Sequence, residues 1–197
     1  MSTSFIFRPH VHEADSVATP DLLIDDVYVA DSSGVDLKYS PITNDRLCTD
    51  PEIQVLGDGT TADVAVFLAG AGAGMLIGLA SNHRYAPQGD SQIFCKPVCR
   101  QTWRFEHVAD HWQNLVIQAA DHKGKIFQEG ELGDFAPVDE IVTLVSNGQS
   151  ILLSGTAVIC VGLPIRDIGI LENPYSLTLS NPYLKRQLGL QYSVRVL

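Results

Sequence analysis

The chain has 197 residues, 45% of them apolar, and a formal net charge of -10 at pH 7. That length supports one hydrophobic core and that apolar content excludes disorder. The acidic balance, with no basic stripe, argues against a nucleic-acid backbone or an anionic membrane as partner.

No Pro/Gly/Ser-rich linker or low-complexity run divides the sequence, so a single domain over 1–197 is expected, with 1–20 as an N-terminal arm. The opening MSTSFIFRPH lacks a basic leader and a long apolar core, which predicts a cytoplasmic protein. Ser4 to Ala18, with His10, His12 and Glu13 beside Pro9, reads as an extended arm or short strand. Leu22 to Ala30 reads as a strand around the Asp25-Asp26 pair, ended by the turn Asp31-Ser32-Ser33-Gly34. Val35 to Tyr39 is a second short strand, stopped at Ser40-Pro41, and Glu52 to Leu56 a third, closed by Gly57-Asp58-Gly59. The longest apolar run, Ala62 to Ala80, is interrupted by Asp63 and rich in Gly and Ala. A spanning helix needs about 20 predominantly apolar residues; this run predicts two strands, Asp63 to Leu68 and Met75 to Ala80, joined as a hairpin. Its glycines make no phosphate loop, since no Lys-Ser/Thr follows and the next element reads as strand.

Ser81 to Trp112 gathers His83, His107, His111, Cys95, Cys99 and both tryptophans between two apolar strand patterns. Polar, aromatic and thiol side chains on a connection held by rigid strands suggest the rim of a pocket. Within it Arg104 to Asn114 is predicted as a helix, because Phe105, Val108, Ala109, Trp112 and Leu115 recur at three- and four-residue steps. His107 and His111 share a face of that helix, but Glu106 precedes His107, the wrong order for a zinc enzyme. Cys48, Cys95, Cys99 and Cys160 are expected as reduced thiols, and Cys95 and Cys99 lack the second pair that structural zinc requires.

Leu115 to Ala120 and Lys125 to Glu129 flank His122-Lys123-Gly124 as a hairpin. A second helix begins at Pro137, with Asp139 and Glu140 in its first turn and Ile141, Leu144 and Val145 as its apolar stripe. Ile151 to Leu153 and Ala157 to Val161 read as strands around Ser154-Gly155-Thr156, and Asp167 to Leu171, Tyr175 to Leu179 and Gln191 to Val196 add more strand. The sum is a β-rich α+β domain with few short helices, in which a mostly antiparallel sheet or roll carries the site.

The segments PEIQVLGDGTTADVAVFL, LIGLASNHR, SQIFCKP, WRFEHVADHW, IFQEGELGDF and ILLSGTA, in that order, resemble an uncharacterised branch of the fumarylacetoacetate hydrolase superfamily from about Leu23 to the C-terminus. The resemblance implies a mixed β-roll and a pocket for a dicarbonyl or keto-enol acid. It also implies a divalent metal held by carboxylates, a His-Glu pair that activates water, a Lys that binds developing charge, and a homodimer. A hard cation on oxygen ligands is the right Lewis acid for such a carbonyl.

This chain departs from that pattern. Where the family has Glu-x-Glu it reads Asp63-Val64-Ala65; where a later ligand is Asp it has Ser81-Asn82-His83; the expected Lys is Gln92. The helical stretch bearing the family's His and Glu is missing between the first strand and Tyr39. Losing two carboxylates disfavours Mg²⁺, with Asp63 as the one candidate ligand left, and losing the base removes water activation. The same comparison of segments points to Tyr39, Asn82, His83, Gln92, Arg104, Glu131 and Thr156 as pocket residues. Asn82, Gln92 and Thr156 are candidate donors to a carbonyl or enolate oxygen, His83 and Glu131 candidate proton carriers, and Tyr39 and Arg104 candidate substrate contacts. The expected function is metal-independent isomerisation, cyclisation or elimination on a small carbonyl substrate, with biosynthesis as the setting. Two alternatives stand beside it: a metal-dependent C–C hydrolase or decarboxylase with Asp63, Glu52 or Asp58 as substitute ligands, and a non-catalytic binding or structural subunit.

Overall fold

Val64, Val66 and Leu68 point to one side of a strand and Ala65, Phe67 and Ala69 to the other, and all six are fully buried. A strand apolar on both faces belongs in the middle of a covered sheet, and the rest of the architecture is built outward from it. The computed structural model describes residues 4–11, 20–85, 93–165 and 172–197. Its longer elements are β1 (Asp26–Asp31), β2 (Lys38–Ile42), β3 (Glu52–Val55), β4 (Val64–Ala71), β5 (Gly74–Ser81), β6 (Lys96–Arg104), β7 (Val116–Ala120), β8 (Ile126–Glu131), α1 (Val138–Val145), β9 (Thr156–Val161), β10 (Tyr175–Asn181) and β11 (Arg186–Val196).

The larger sheet runs His10–Val11, β6, β5, β4, β9, β1, β2, with Leu47–Cys48 as an additional partner of β6. The smaller runs β8, β7, β10, β11, β3. Most pairings are antiparallel; β9 with β1, β11 with β3, and β6 with its two short partners are parallel. The main core lies between the sheets, where Val66, Leu68, Ile77, Leu79 and Trp103 meet Ile117, Phe127, Leu177, Leu188 and Tyr192. The opposite face of the larger sheet is covered by Phe7 and Ile24, from the paired segments Phe5–Phe7 and Leu22–Ile24.

The predicted hairpin is present as β4 and β5, paired from Ala71–Gly74 to Val64–Ser81. Leu22 to Ala30 is two strands rather than one: the chain breaks at Asp25, where the Asp25 and Asp26 amides both donate to Gly155 O. The strand expected at Val35 lies three residues later, and Val35 itself is fully exposed. Arg104 to Asn114 is two 3₁₀ turns, Phe105–His107 and Ala109–Asn114, not an α-helix. Three residues per turn bury Val108, Trp112 and Leu115 but leave Ala109 outside. The helix after Pro137 forms, although its buried stripe is Ile141, Val142 and Val145, with Leu144 exposed.

The largest departure is β6. Lys96, Pro97, Arg100 and Gln101 disrupt any apolar alternation, yet this segment is a nine-residue strand beside β5, with a register shift between Gly78 and Ala80. Ile151 to Leu153 is irregular rather than strand; Ser154 makes a single bridge to Gly70. The segment Asp167 to Leu171 and residues His12 and Glu13 lie outside the described residues.

The irregular segment Ile151 to Leu153 crosses directly over Gly70, where an added Cβ would stand 2.1 Å from Leu153 O. Gly70→Ala should therefore destabilise the fold by about 1–3 kcal/mol in chemical denaturation. Gly74→Ala, which meets nothing within 4 Å, should change stability by less than about 0.5 kcal/mol.

Candidate active site

An antiparallel hairpin brings the residue before its first strand beside the residues after its second. Asp63 enters β4 and Asn82, His83 and Arg84 leave β5, and the Asn82 amide donates to Asp63 O at 2.8 Å. Arg84 and Tyr85 continue the contact by pairing with Thr61 and Thr60. Alternation along the exit sends Asn82 and Arg84 toward the Asp63 carboxylate, and Ser81 and His83 toward the core.

The Asp63 carboxylate is buried and its two oxygens are shared among three side chains. Gln128 Nε2 donates to Oδ1 at 2.8 Å, Asn82 Nδ2 to Oδ2 at 3.4 Å, and Arg84 Nε contacts Oδ2 at 3.0 Å as an ion pair. Gln128 is itself fully buried on β8; its Oε1 accepts from the Val64 amide at 2.7 Å and its Nε2 also donates to Leu163 O at 2.8 Å. Burial raises the Asp63 pKa, against the opposing pull of Arg84, Gln128 and Asn82. Burial thus favours the protonated carboxyl, and the neighbouring guanidinium and amides favour the carboxylate.

On the core side Tyr192 Oη lies 2.8 Å from Ser81 Oγ and 3.1 Å from His83 Nδ1, and the Asp63 amide donates to Ser81 Oγ at 3.4 Å. Phe94 and Tyr192 meet the His83 ring edge-on at 5.7 and 5.9 Å. Burial, reinforced by the positive charge of Lys96, lowers the His83 pKa to about 3, so its imidazole is neutral at physiological pH. Lys96, on β6 and fully buried, donates from Nζ to His83 O at 2.9 Å. Among the described residues, His83 Nε2 and Asn82 Oδ1 are buried with no hydrogen-bond partner, two open positions in the cluster.

Of the residues that sequence reasoning selected, the structure brings together Asp63, Asn82 and His83. Gln92 lies outside the described residues. Thr156 opens β9; since Ala157 faces Ala69 across β4, it sits roughly 23 Å along that strand from Asp63, at about 3.3 Å per residue. Arg104 faces Leu76, five residues before the end of β5. Glu131 is exposed and caps a 3₁₀ turn, its amide donating to Asp134 Oδ2 at 3.3 Å. Tyr39 lies on the edge strand β2 against Tyr28, ring centroids 5.8 Å apart. His107 and His111 do not converge: His107 pairs with Glu106 at 3.7 Å and His111 stacks on Tyr183 at 4.9 Å. Sequence reasoning missed Arg84, Lys96 and Gln128. Lys96 was legible only as a charged residue beside Pro97 in an apolar setting, and Gln128 only as an amide on the inward side of a predicted strand.

Residues 23–192 match the family model described as "Protein of unknown function (DUF2848)". The chain belongs to that family. No curated protein matches it. Among solved structures, the fumarylpyruvate hydrolase of Pseudomonas aeruginosa, in complex with Mn²⁺ and pyruvate, is similar at a TM-score of 0.68 and 11% identity, over 98% of this chain and 97% of that one. The 2-hydroxyhepta-2,4-diene-1,7-dioate isomerase of Mycobacterium marinum is similar at 0.61 and 13%, over 88% and 75%. The fold of this DUF2848 chain is therefore that of the fumarylacetoacetate hydrolase superfamily, as the order of its sequence segments implies.

The described residues around Asp63 in this DUF2848 chain do not fit a divalent metal. Among the described residues no three His, Cys, Asp or Glu side chains are placed to hold one. Asp63, the single carboxylate at the centre, has both oxygens engaged by donors, one of them a cation. A metal there would have to displace a guanidinium and gain only one anionic ligand.

The two buried titratable groups impose opposite pH dependences. The unfolded chain protonates His83 near its ordinary pKa of 6.5 and the folded chain only near 3. Unfolding thus takes up a proton in that window, and stability falls as pH drops from 6.5 toward 3 by up to about 1.4 kcal/mol per unit. Asp63, raised in the fold, works the other way: stability falls as pH climbs from its ordinary value to its raised one. In urea denaturation between pH 4 and 7, His83→Gln should flatten the acid-side loss, and Asp63→Asn should steepen it.

Proposed function

We propose that this protein is a small-molecule enzyme that binds a carbonyl or keto-enol acid and moves a proton on it without a divalent metal, giving isomerisation, cyclisation or elimination. The observation that carries this reading is the Asp63–Arg84 pair at 3.0 Å: a protein-borne cation stands on the carboxylate, and a second, Lys96, is buried close by. The fold shared with hydrolases and an isomerase is consistent with an enzyme of that type.

Arg84, one-fifth exposed at its side chain, is the group that an incoming carboxylate or polarised carbonyl meets. A planar guanidinium binds such oxygens in pairs and stabilises the charge that develops on an enolate oxygen. Recruiting the substrate to Arg84 relaxes its hold on Asp63, whose raised carboxyl pKa then suits it to take the proton from the carbon next to the carbonyl and return it elsewhere. Asn82 holds Asp63 and presents its vacant Oδ1 to a substrate hydroxyl. His83, neutral and tied to Tyr192, orients the segment rather than carrying the proton.

Proton transfer can be read without knowing the product. With pyruvate or oxaloacetate in D₂O and excess EDTA, the protein should accelerate deuterium exchange at C3, followed by NMR. Asp63→Asn and Arg84→Ala should each lose about 10²-fold or more, and Arg84→Lys should retain part. Exchange that EDTA abolishes and Mn²⁺ restores, together with a Mn²⁺-dependent rise in melting temperature absent in Asp63→Ala, would instead establish a metal-dependent hydrolase or decarboxylase.

A further inference from the structure

Outside the Asp63 cluster, one pair of side chains has a chemistry that nothing above uses. Leu47–Cys48 runs parallel to the start of β6, with Leu47 opposite Lys96 and Cys48 opposite Pro97. This register sets Cys48 diagonally across from Cys95, the residue just before β6 and two before Pro97, on the same side of the two strands, and the two thiols act on one another's ionisation. Cys48 is buried and Cys95 half-buried, and neither is in a disulfide. A buried thiol that donates to a more accessible one makes the accessible sulfur a thiolate at low cost. The hydrogen bond from Cys48, aided by Arg46 and opposed by burial and by Asp50 and Asp45, lowers the Cys95 pKa to about 7, while the Cys48 thiol is raised well above its usual range.

The remaining two cysteines are an internal contrast. Cys99 is buried and its Sγ donates to Gly189 O at 3.0 Å. Cys160 is fully buried on β9, its pKa pushed up to about 12 by desolvation alone. Neither has a thiol neighbour among the described residues.

We propose that Cys48 and Cys95 form a redox-active dithiol that a hydroperoxide oxidises to an intramolecular disulfide, with Cys95 attacking and Cys48 resolving. The Cys95 thiolate attacks the terminal peroxide oxygen, the O–O bond breaks, and Cys95 becomes a sulfenic acid while hydroxide or alkoxide leaves. Cys48 Sγ then attacks Cys95 Sγ, gives up its proton to the departing oxygen, and water is released as the S–S bond forms. The protein loses two protons and two electrons, and the peroxide gains them. Bringing the sulfurs from their diagonal placement to about 2.05 Å requires movement of Cys95, which lies outside the strand and its ladder pairing. Lys96 follows it directly and holds His83 O, so closure pulls on a residue of the Asp63 cluster.

The test is thiol mapping on the intact native protein. After reduction and removal of reductant, stoichiometric H₂O₂ followed by an alkylating quench should leave two fewer alkylated thiols. Peptide mass spectrometry should show a dithiothreitol-reversible link between Cys48 and Cys95, with Cys99 and Cys160 alkylated only after denaturation. Before oxidation, Cys95 should alkylate at pH 7 at least 10-fold faster than Cys99. In Cys48→Ser, peroxide should stop at a Cys95 sulfenic acid trapped by dimedone. Wild-type protein in which Cys95 oxidises while Cys48 stays alkylatable, or in which Cys95 links two chains instead, would overturn the proposal.

Discussion

A carboxylate removed from water must find its hydrogen bonds inside the protein or give up its charge. Asp63 meets that constraint with three partners drawn from two directions: Asn82 and Arg84 from the exit of β5, and Gln128 from the other sheet. The hairpin supplies the first two automatically, because the same register that stacks Val64 on Ser81 also stacks Asp63 near Asn82. Gln128 is the long-range element. Its single amide accepts from the Val64 backbone and donates to Asp63 and to Leu163 O, so the spacing of the two sheets and the position of the carboxylate are set by one group. Removing either partner of such a buried contact strands the other, which is costlier than the bond itself is worth.

What could be read from the sequence follows from how local each feature is. The β4–β5 hairpin, the hairpin around Gly124 and the helix after Pro137 are encoded by contiguous patterns and by their turn residues, and they are present. Asp63 could be singled out because it interrupts an apolar run, and Asn82 and His83 because the order of segments resembles a known family. Lys96 and Gln128 could not, since their importance comes from a register and a sheet-to-sheet contact made far away along the chain. The same reason explains Thr156 and Arg104: the order of segments suggested a common pocket, but the pairing of Ala157 with Ala69 and of Arg104 with Leu76 sends each along the sheet away from Asp63. β6 was concealed because its buried face includes a lysine and a proline, which no apolar alternation would include.

The fold admits different means of placing positive charge near a substrate oxygen. A divalent ion needs several oxygen ligands in a small volume, whereas a guanidinium needs one carboxylate and a planar approach. This chain has the second arrangement at Asp63. Arg84 is what favours an ionised Asp63 there, since a lone buried aspartate without a cation would not stay ionised.

The surroundings of that cluster matter as well as its contents. Arg84 stands on the buried Asp63 carboxylate and Lys96 on His83 O, two positive charges in a chain whose net charge is -10. For the anionic substrate proposed above, the outer field is repulsive and the inner one attractive. Dissolved salt screens the outer field within about 10 Å of bulk solvent at 0.1 M but reaches the buried charges far less. On that proposal ionic strength acts on the two fields separately: it speeds the arrival of the anion while leaving its retention nearly unchanged, the reverse of what a basic, surface-exposed anion site shows.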